Sequence, residues 1–155
     1  MPELRKTNGT IVYTSSGAST GAYSAWGAYV AAKAAINALA RQIACEEDQV
    51  TAFAIRPGVV DTDMQRDLRE IHSAVMDEKD NAKFLGAHEN KTLLKPEQPG
   101  HIIAKLAIDP ARDFNGQYLR SEHHRVYRAL LTSEQLGQQR AFEVSRPDLT
   151  VSDNV

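Results

Sequence analysis

The sequence predicts an α/β protein in which strands of one parallel sheet alternate with helices. Three observations carry that reading. Two short runs rich in strand formers, TIVY at Thr10–Tyr13 and VTAFAI at Val50–Ile55, look like buried parallel strands. Between them lies an alanine-rich stretch with eight alanines from 28 to 44 and neither Gly nor Pro in that interval, as a long helix requires. A third short run, QYLR, follows the turn signal Asn115-Gly116. Strands separated by helices in this order fit a parallel sheet covered on its faces. In such sheets ligands bind beyond the carboxyl ends of the strands.

Each element has its own local reason. Residues 2 to 8 are polar and end in Asn8-Gly9, a turn. The first strand ends in Thr14-Ser15-Ser16, and GASTGAYSAWG, rich in Gly, Ser and Ala, reads as a loop. The helix runs from about Ser24 or Ala28 to about Glu47. Pro57-Gly58 ends the second strand. Residues 61 to 95 are polar, charged and weakly periodic, which predicts a long lid or binding loop. Pro96 to Ala107 reads as another helix with proline at its start. Beyond about Arg128 the chain is polar and mixed, and the last 15 or so residues are expected to be loosely held.

A chain of 155 residues fits one domain with a respectable core. The net charge is -2 with acids and bases interspersed, so nothing points to nucleic acid or to an anionic membrane surface. No apolar run approaches the roughly 20 residues of a membrane span, and the N-terminus lacks the apolar region of a signal peptide. Cys45 is the single cysteine, so no intramolecular disulfide can form, and a reducing, cytoplasmic setting is expected.

The chemistry centres on the helix. Residues four apart share a helix face, so Tyr29, Lys33, Asn37 and Arg41 form one polar stripe. Ile36, Leu39, Ala40 and Ile43 form the apolar stripe expected to face the core. A free phenol has a pKa near 10 and shuttles protons poorly at neutral pH. A lysine ammonium held near it favours the phenolate and makes the pair a plausible acid/base. Ser16 lies at the carboxyl end of the first strand, where its hydroxyl can hydrogen-bond a carbonyl oxygen as charge builds on it. The three together suit hydride transfer to or from a carbonyl. A lone Tyr-x-x-x-Lys pair is common on helices, and context gives it weight.

That context resembles the short-chain dehydrogenase/reductase family. GTIVYTSSGAS, WGAYVAAKAAINALAR and FAIRPGVVDTDM follow that family's order and spacing over roughly residues 7 to 128. WGAY, PGVVDTDM and NGQYL are similar to its sepiapterin reductase and benzil reductase branch. The resemblance implies Ser16 as catalytic serine, Tyr29 as acid/base, and Lys33 as its partner and a ligand of the nicotinamide ribose. It implies that Pro57, Gly58, Val60 and Thr62 contact the nicotinamide end of an NADP(H) cofactor, with NAD(H) not excluded. It also implies that the loop from about Asp63 to Lys95 closes over a small-molecule carbonyl substrate, a dicarbonyl or a pterin-side-chain ketone. The alanine-rich helix would pair with its copy, giving a homo-oligomer or an association with a full-length relative.

The family's glycine-rich phosphate turn is not among these residues, nor is its asparagine segment. The expectation is therefore a partial Rossmann-type doubly wound parallel sheet. It would hold the last three strands and their helices, lack the N-terminal cofactor-binding half, and be truncated at the start. Residues 1-128 would form this C-terminal half and 129-155 a polar tail. Such a sheet would expose an edge and an apolar face. A catalytically inactive fragment acting as a dimerisation or interaction module is the alternative to a reductase.

The other conspicuous residues carry less. Cys45 sits beside Glu46 and Glu47, acids that oppose thiolate formation, and is read as structural. His123-His124 has no Cys or carboxylate at ligand spacing and reads as a surface pair, so no metal is expected. Trp26 is read as either core or pocket lining. Asp61 and Asp63 flank Thr62 as solvated loop acids, with Asp63 able to touch substrate. HSAVMDEKDNAKF reads as an exposed helical face.

Overall fold

The computed structural model describes residues 1 to 121. The chain opens with helix α1 (Pro2–Thr7), which ends at Asn8 in the left-handed conformation, φ 50°. Strand β1 (Thr10–Thr14), helix α2 (Gly27–Glu46) and strand β2 (Thr51–Arg56) follow. Helices α3 (Asp63–Glu70), α4 (Glu78–Glu89) and α5 (Glu97–Ile108) lead to strand β3 (Tyr118–Arg120). The sheet has the order β1-β2-β3, all parallel, with Val12 opposite Phe53 and Ile55 opposite Leu119.

Alternation along β2 assigns its side chains to two cores. Phe53 and Ile55 face α5 and bury against Ile102, Leu106 and Leu119. Ala52 and Ala54 face α2 and pack with Ala40, Ile43 and Val50. Thr51 through Ile55 are all buried, as a central parallel strand covered on both faces requires. Small residues on the α2 side let the helix ride close to the sheet. The clearest case is Gly116, at φ +78°, where an added Cβ would lie 2.8 Å from the Ala44 Cβ.

Three expectations are corrected. The first is the truncated C-terminal half with a partial sheet and a bare face. A Rossmann-type parallel sheet with helices on both faces runs through the described residues and includes the N-terminal segment. Leu4 of α1 packs on the α2-side core, and Thr51 N–H donates to the Gly9 carbonyl at 3.0 Å. Arg5 of α1 binds Glu47 in a fork, with both N···O distances 2.6 Å. The residues read as the leftover end of a helix are thus an integrated part of the unit.

The second correction concerns 61–95, predicted as a loop. It forms α3, a 3₁₀ turn (Ser73–Val75) and α4. Its periodicity is weak because α3 buries only Gln65 and α4 only Phe84. Helices that bury so little rest on tertiary contacts rather than on an apolar stripe. Within HSAVMDEKDNAKF, Met76 and Phe84 are buried, so that run is not an exposed face throughout. The third correction is Leu39, predicted in the core stripe. It is 47% exposed, while Ala40 and Ile43 are buried and Ile36 packs beside them. The boundary at 128/129, the tail 129–155 and the His123-His124 pair lie outside the described residues.

Gly116→Ala is expected to cost about 1–3 kcal/mol, because alanine must adopt positive φ and meet Ala44. The urea midpoint measures it, and an unchanged midpoint would refute the close approach. The Arg5 fork supplies a pH test. Hydrogen bonding from Arg5, with its charge as a lesser cause and burial opposing, holds the Glu47 carboxyl below its ordinary range. A carboxylate with a depressed folded pKa contributes stability above its unfolded pKa and loses it as pH falls through the folded value. The stability difference between the wild type and Glu47→Gln should therefore be constant at neutral pH and shrink in acid below the ordinary carboxylate range.

Candidate active site

A cavity of about 560 Å³ opens at the carboxyl ends of β1 and β2. Its wall contains all seven residues singled out from the sequence: Ser16, Tyr29, Lys33, Pro57, Gly58, Val60 and Thr62. β1 delivers Ser16, α2 delivers Tyr29 and Lys33 one turn apart, and the turn after β2 delivers the rest. Gly58 has φ 91°, so a glycine is needed where the backbone forms the wall. The turn is braced by a bridge between Val60 and Leu94, with Leu94 N–H donating to the Val59 carbonyl at 2.9 Å.

Ser16 caps the 3₁₀ turn Gly17–Thr20, and its hydroxyl accepts the Ala18 N–H at 3.2 Å. A hydroxyl has one proton to give. With its oxygen already accepting, Ser16 keeps that proton for a ligand in the cavity. Its own carbonyl oxygen is gripped three times, by Ser19 Oγ at 2.6 Å, Ser19 N–H at 3.1 Å and Tyr118 Oη at 3.0 Å. Asn37 sits behind this arrangement. Its Nδ2 donates to Ser19 Oγ at 2.8 Å, and its Oδ1 accepts Ser15 Oγ at 2.6 Å.

Lys33 Nζ donates to the Thr14 carbonyl at 2.8 Å and lies 5.7 Å from the centre of the Tyr29 ring. The ammonium is thus fixed beside the phenol by the strand end. An aromatic wall continues from Tyr29. Trp26 meets it edge-on at 5.4 Å, stacks on Tyr23 at 5.1 Å and lies nearly parallel to Phe84 at 5.4 Å. Ser24 ties this wall to the start of α4. Its N–H donates to Asp80 at 3.1 Å, and its hydroxyl accepts the Asp77 N–H at 2.8 Å.

Sequence reading left Trp26 open between core and pocket; it is half-buried and lines the cavity. Asp63 is exposed and pairs with Arg66 at 3.0 Å, away from the cavity wall. Cys45 is exposed on α2. Tyr23, Lys83, Phe84 and Arg56 also line the cavity and were missed. The sequence signal for Phe84 was a single aromatic in a polar segment. For Asn37 it was its place on the polar stripe two turns beyond Tyr29. Lys33, Arg56 and Lys83 are the charged residues of the wall, so it carries cations and no carboxylate.

A parallel α/β sheet with a Ser, Tyr and Lys set at its carboxyl edge defines a dehydrogenase-like class of protein. The short chain dehydrogenase family model matches residues 1–72. An uncharacterized oxidoreductase of Saccharomyces cerevisiae is 46% identical over 121 residues, covering 77% of this chain and 48% of the relative. A benzil reductase ((S)-benzoin forming) of the same yeast is 43% identical over 122 residues, covering 76% of this chain and 46% of the relative. The crystal structure of a short-chain dehydrogenase/reductase from Saccharomyces cerevisiae superposes with TM-score 0.80 at 42% identity, covering 84% of this chain and 52% of that one. Over about 120 residues the chain is thus similar to short-chain dehydrogenase/reductase proteins. It spans about half the length of the curated relatives it matches. The family match starts at residue 1, which also moves the resemblance forward from its expected start near residue 7.

The Asn37 grip yields a test independent of activity. Asn37→Ala and Ser19→Ala should speed amide hydrogen exchange across 16–20 and leave β2 amides unchanged, whereas Ser19→Thr keeps the hydroxyl and should preserve protection. Equal exchange in all three would mean the turn holds itself.

Proposed function

We propose that the protein is an NAD(P)H-dependent carbonyl reductase acting on an aryl carbonyl compound. The observation that carries this is the convergence of Ser16, Tyr29 and Lys33 on one cavity with a continuous aromatic wall. The donor set fits the nicotinamide end of the cofactor. Lys33 offers an ammonium at the wall, Thr62 a hydroxyl, and Pro57, Gly58 and Val60 a close backbone. A cavity with three cations and no acid on its wall favours an anionic cofactor such as NADP(H) or NAD(H). When bound, the reduced nicotinamide supplies the hydride.

Ser16 donates its free hydroxyl proton in a hydrogen bond to the substrate carbonyl oxygen and stabilises the charge that grows there. Tyr29 transfers its phenolic proton to that oxygen, so the alcohol leaves neutral and the phenolate is reprotonated from solvent. Lys33 sits beside the ring and favours the phenolate while it lasts. Trp26 and Phe84 cover the site with apolar surface, which excludes water and strengthens these interactions. The name of the benzil reductase relative supports reduction of an aryl ketone.

Association with a second copy is part of the same proposal. Ala28, Ala31, Ala32, Ala35 and Ala38 are exposed along one side of α2. A face of small side chains allows close helix–helix approach. An interaction module without catalysis is the reading this face would favour if turnover failed. The setting proposed is cytoplasmic, and no described helix is long and apolar enough to cross a membrane.

Calorimetric titration with NADPH, followed by turnover of an aryl ketone, tests the reading. Tyr29→Phe should reduce turnover about 10²–10⁴-fold, the range for losing a general acid, with cofactor affinity within twofold of the wild type. Wild-type turnover surviving in Tyr29→Phe would sink the assignment. A folded protein with no NADPH binding would favour the interaction module.

A further inference from the structure

The two edges of the sheet differ. β3 is three residues long and ends in Arg120, so its edge is short and charged. β1 is five residues long, Thr10-Ile11-Val12-Tyr13-Thr14, with no charge and no proline. Among the described residues no strand pairs with its outer side. Residues 10 to 13 are half-buried, while β2 beside them is buried from Thr51 to Ile55.

Backbone groups of successive strand residues point to opposite edges. Thr51 N–H donates to the Gly9 carbonyl at 3.0 Å, and Ser15 N–H donates to the Ile55 carbonyl at 2.7 Å. Gly9, Ile11, Tyr13 and Ser15 therefore face β2, and Thr10, Val12 and Thr14 turn their N–H and C=O groups to the open edge. Lys33 Nζ reaches the Thr14 carbonyl from that side, at 2.8 Å. A carbonyl oxygen has a second lone pair, so Thr14 can still accept a bond from a neighbouring strand.

We propose that this edge pairs with the same edge of a second copy, in an antiparallel register centred on Val12. The strand reads almost the same in both directions. A two-fold axis at Val12 sets Thr10 against the partner's Thr14, Ile11 against the partner's Tyr13 and Val12 against the partner's Val12. The outward-facing residues then form hydrogen-bonded pairs, each exchanging both N–H···O bonds. Ile11 and Tyr13 lie on the α2 side of the sheet and Val12 on the α5 side, so each pair meets on one face. Aromatic with β-branched pairs and threonine pairs stabilise antiparallel neighbours. The sheet becomes continuous across the two copies, with the short, charged β3 at both ends. The inference is independent of the reductase reading and of the α2 face.

Light scattering of the 155-residue chain over a concentration series tests this, with amide exchange measured at both ends of the series. Where the mass has doubled, the Thr10, Val12 and Thr14 amides should exchange at least about tenfold slower than in the monomer. The Ile11 and Tyr13 amides, which face β2, should be protected throughout. Thr10→Pro removes one edge donor per copy and spares the ladder to β2, because proline fits the first residue of an edge strand. It should raise the dissociation constant about 10–100-fold, with unchanged protection in β2 showing that it folds. Thr10→Ala keeps the N–H and should dimerise within about threefold of the wild type. A chain that stays monomeric overturns the proposal. So does a dimer in which the three edge amides exchange freely, since it is held elsewhere. Protection of all three in the monomer means that the chain covers its own edge, and overturns it as well.

Discussion

Everything at the cavity depends on how α2 is fastened to the end of β1. Three successive residues at the end of β1, Thr14 to Ser16, are held by the same helix face. The Thr14 carbonyl takes the Lys33 ammonium, Ser15 gives its hydroxyl proton to Asn37, and Ser16 is reached through Ser19. Tyr118 adds a bond from β3 to the same carbonyl of Ser16. These are chained hydrogen bonds in a partly buried setting, where each polarises the next. The small side chains of α2 and β2 make the fastening possible, because they set the helix close enough for short polar side chains to span the gap.

The cavity has one wall that carries Ser16, Tyr29 and Lys33 and a second that is mainly aromatic. The first belongs to β1 and α2. The second is aromatic and is shared between the loop before α2 and helix α4. Trp26 is the hinge of this division, touching Tyr29 on one side and Tyr23 and Phe84 on the other. An apolar wall of this kind takes a flat substrate readily but orients it poorly. Orientation needs the few polar groups at its rim.

Much of this was legible in the residues. The order of strands and helices followed from β-branched runs and the alanine-rich helix. Of the seven cavity residues, Ser16, Tyr29 and Lys33 followed from a strand end and i, i+4 spacing, and Pro57, Gly58, Val60 and Thr62 from the family resemblance. What stayed hidden was of two kinds. Helices α3 and α4 bury a single residue each, so their sequence shows no apolar period. The partners of Tyr23 and Trp26 lie about 60 positions away in that segment, and no local pattern announces such a pairing. The same holds at the start of the chain. Arg5 and Glu47 meet across 42 positions, and with them the first helix becomes part of the unit instead of a loose end.

These separations also rank the two walls by how they assemble. The contact between Lys33 and Thr14 spans 19 positions, and that between Asn37 and Ser15 spans 22, within one strand–helix unit. The bond between Lys83 and Tyr23 spans 60. Closing the longer loop costs more chain entropy, by about 0.6 kcal/mol for each doubling. It also rests on helices with little buried surface. Local opening therefore begins at α4, in the manner of low-stability segments elsewhere. A molecule in that state keeps Ser16, Tyr29 and Lys33 assembled and loses its aromatic wall. Amide protection should fade with warming at α4 before it does at α2.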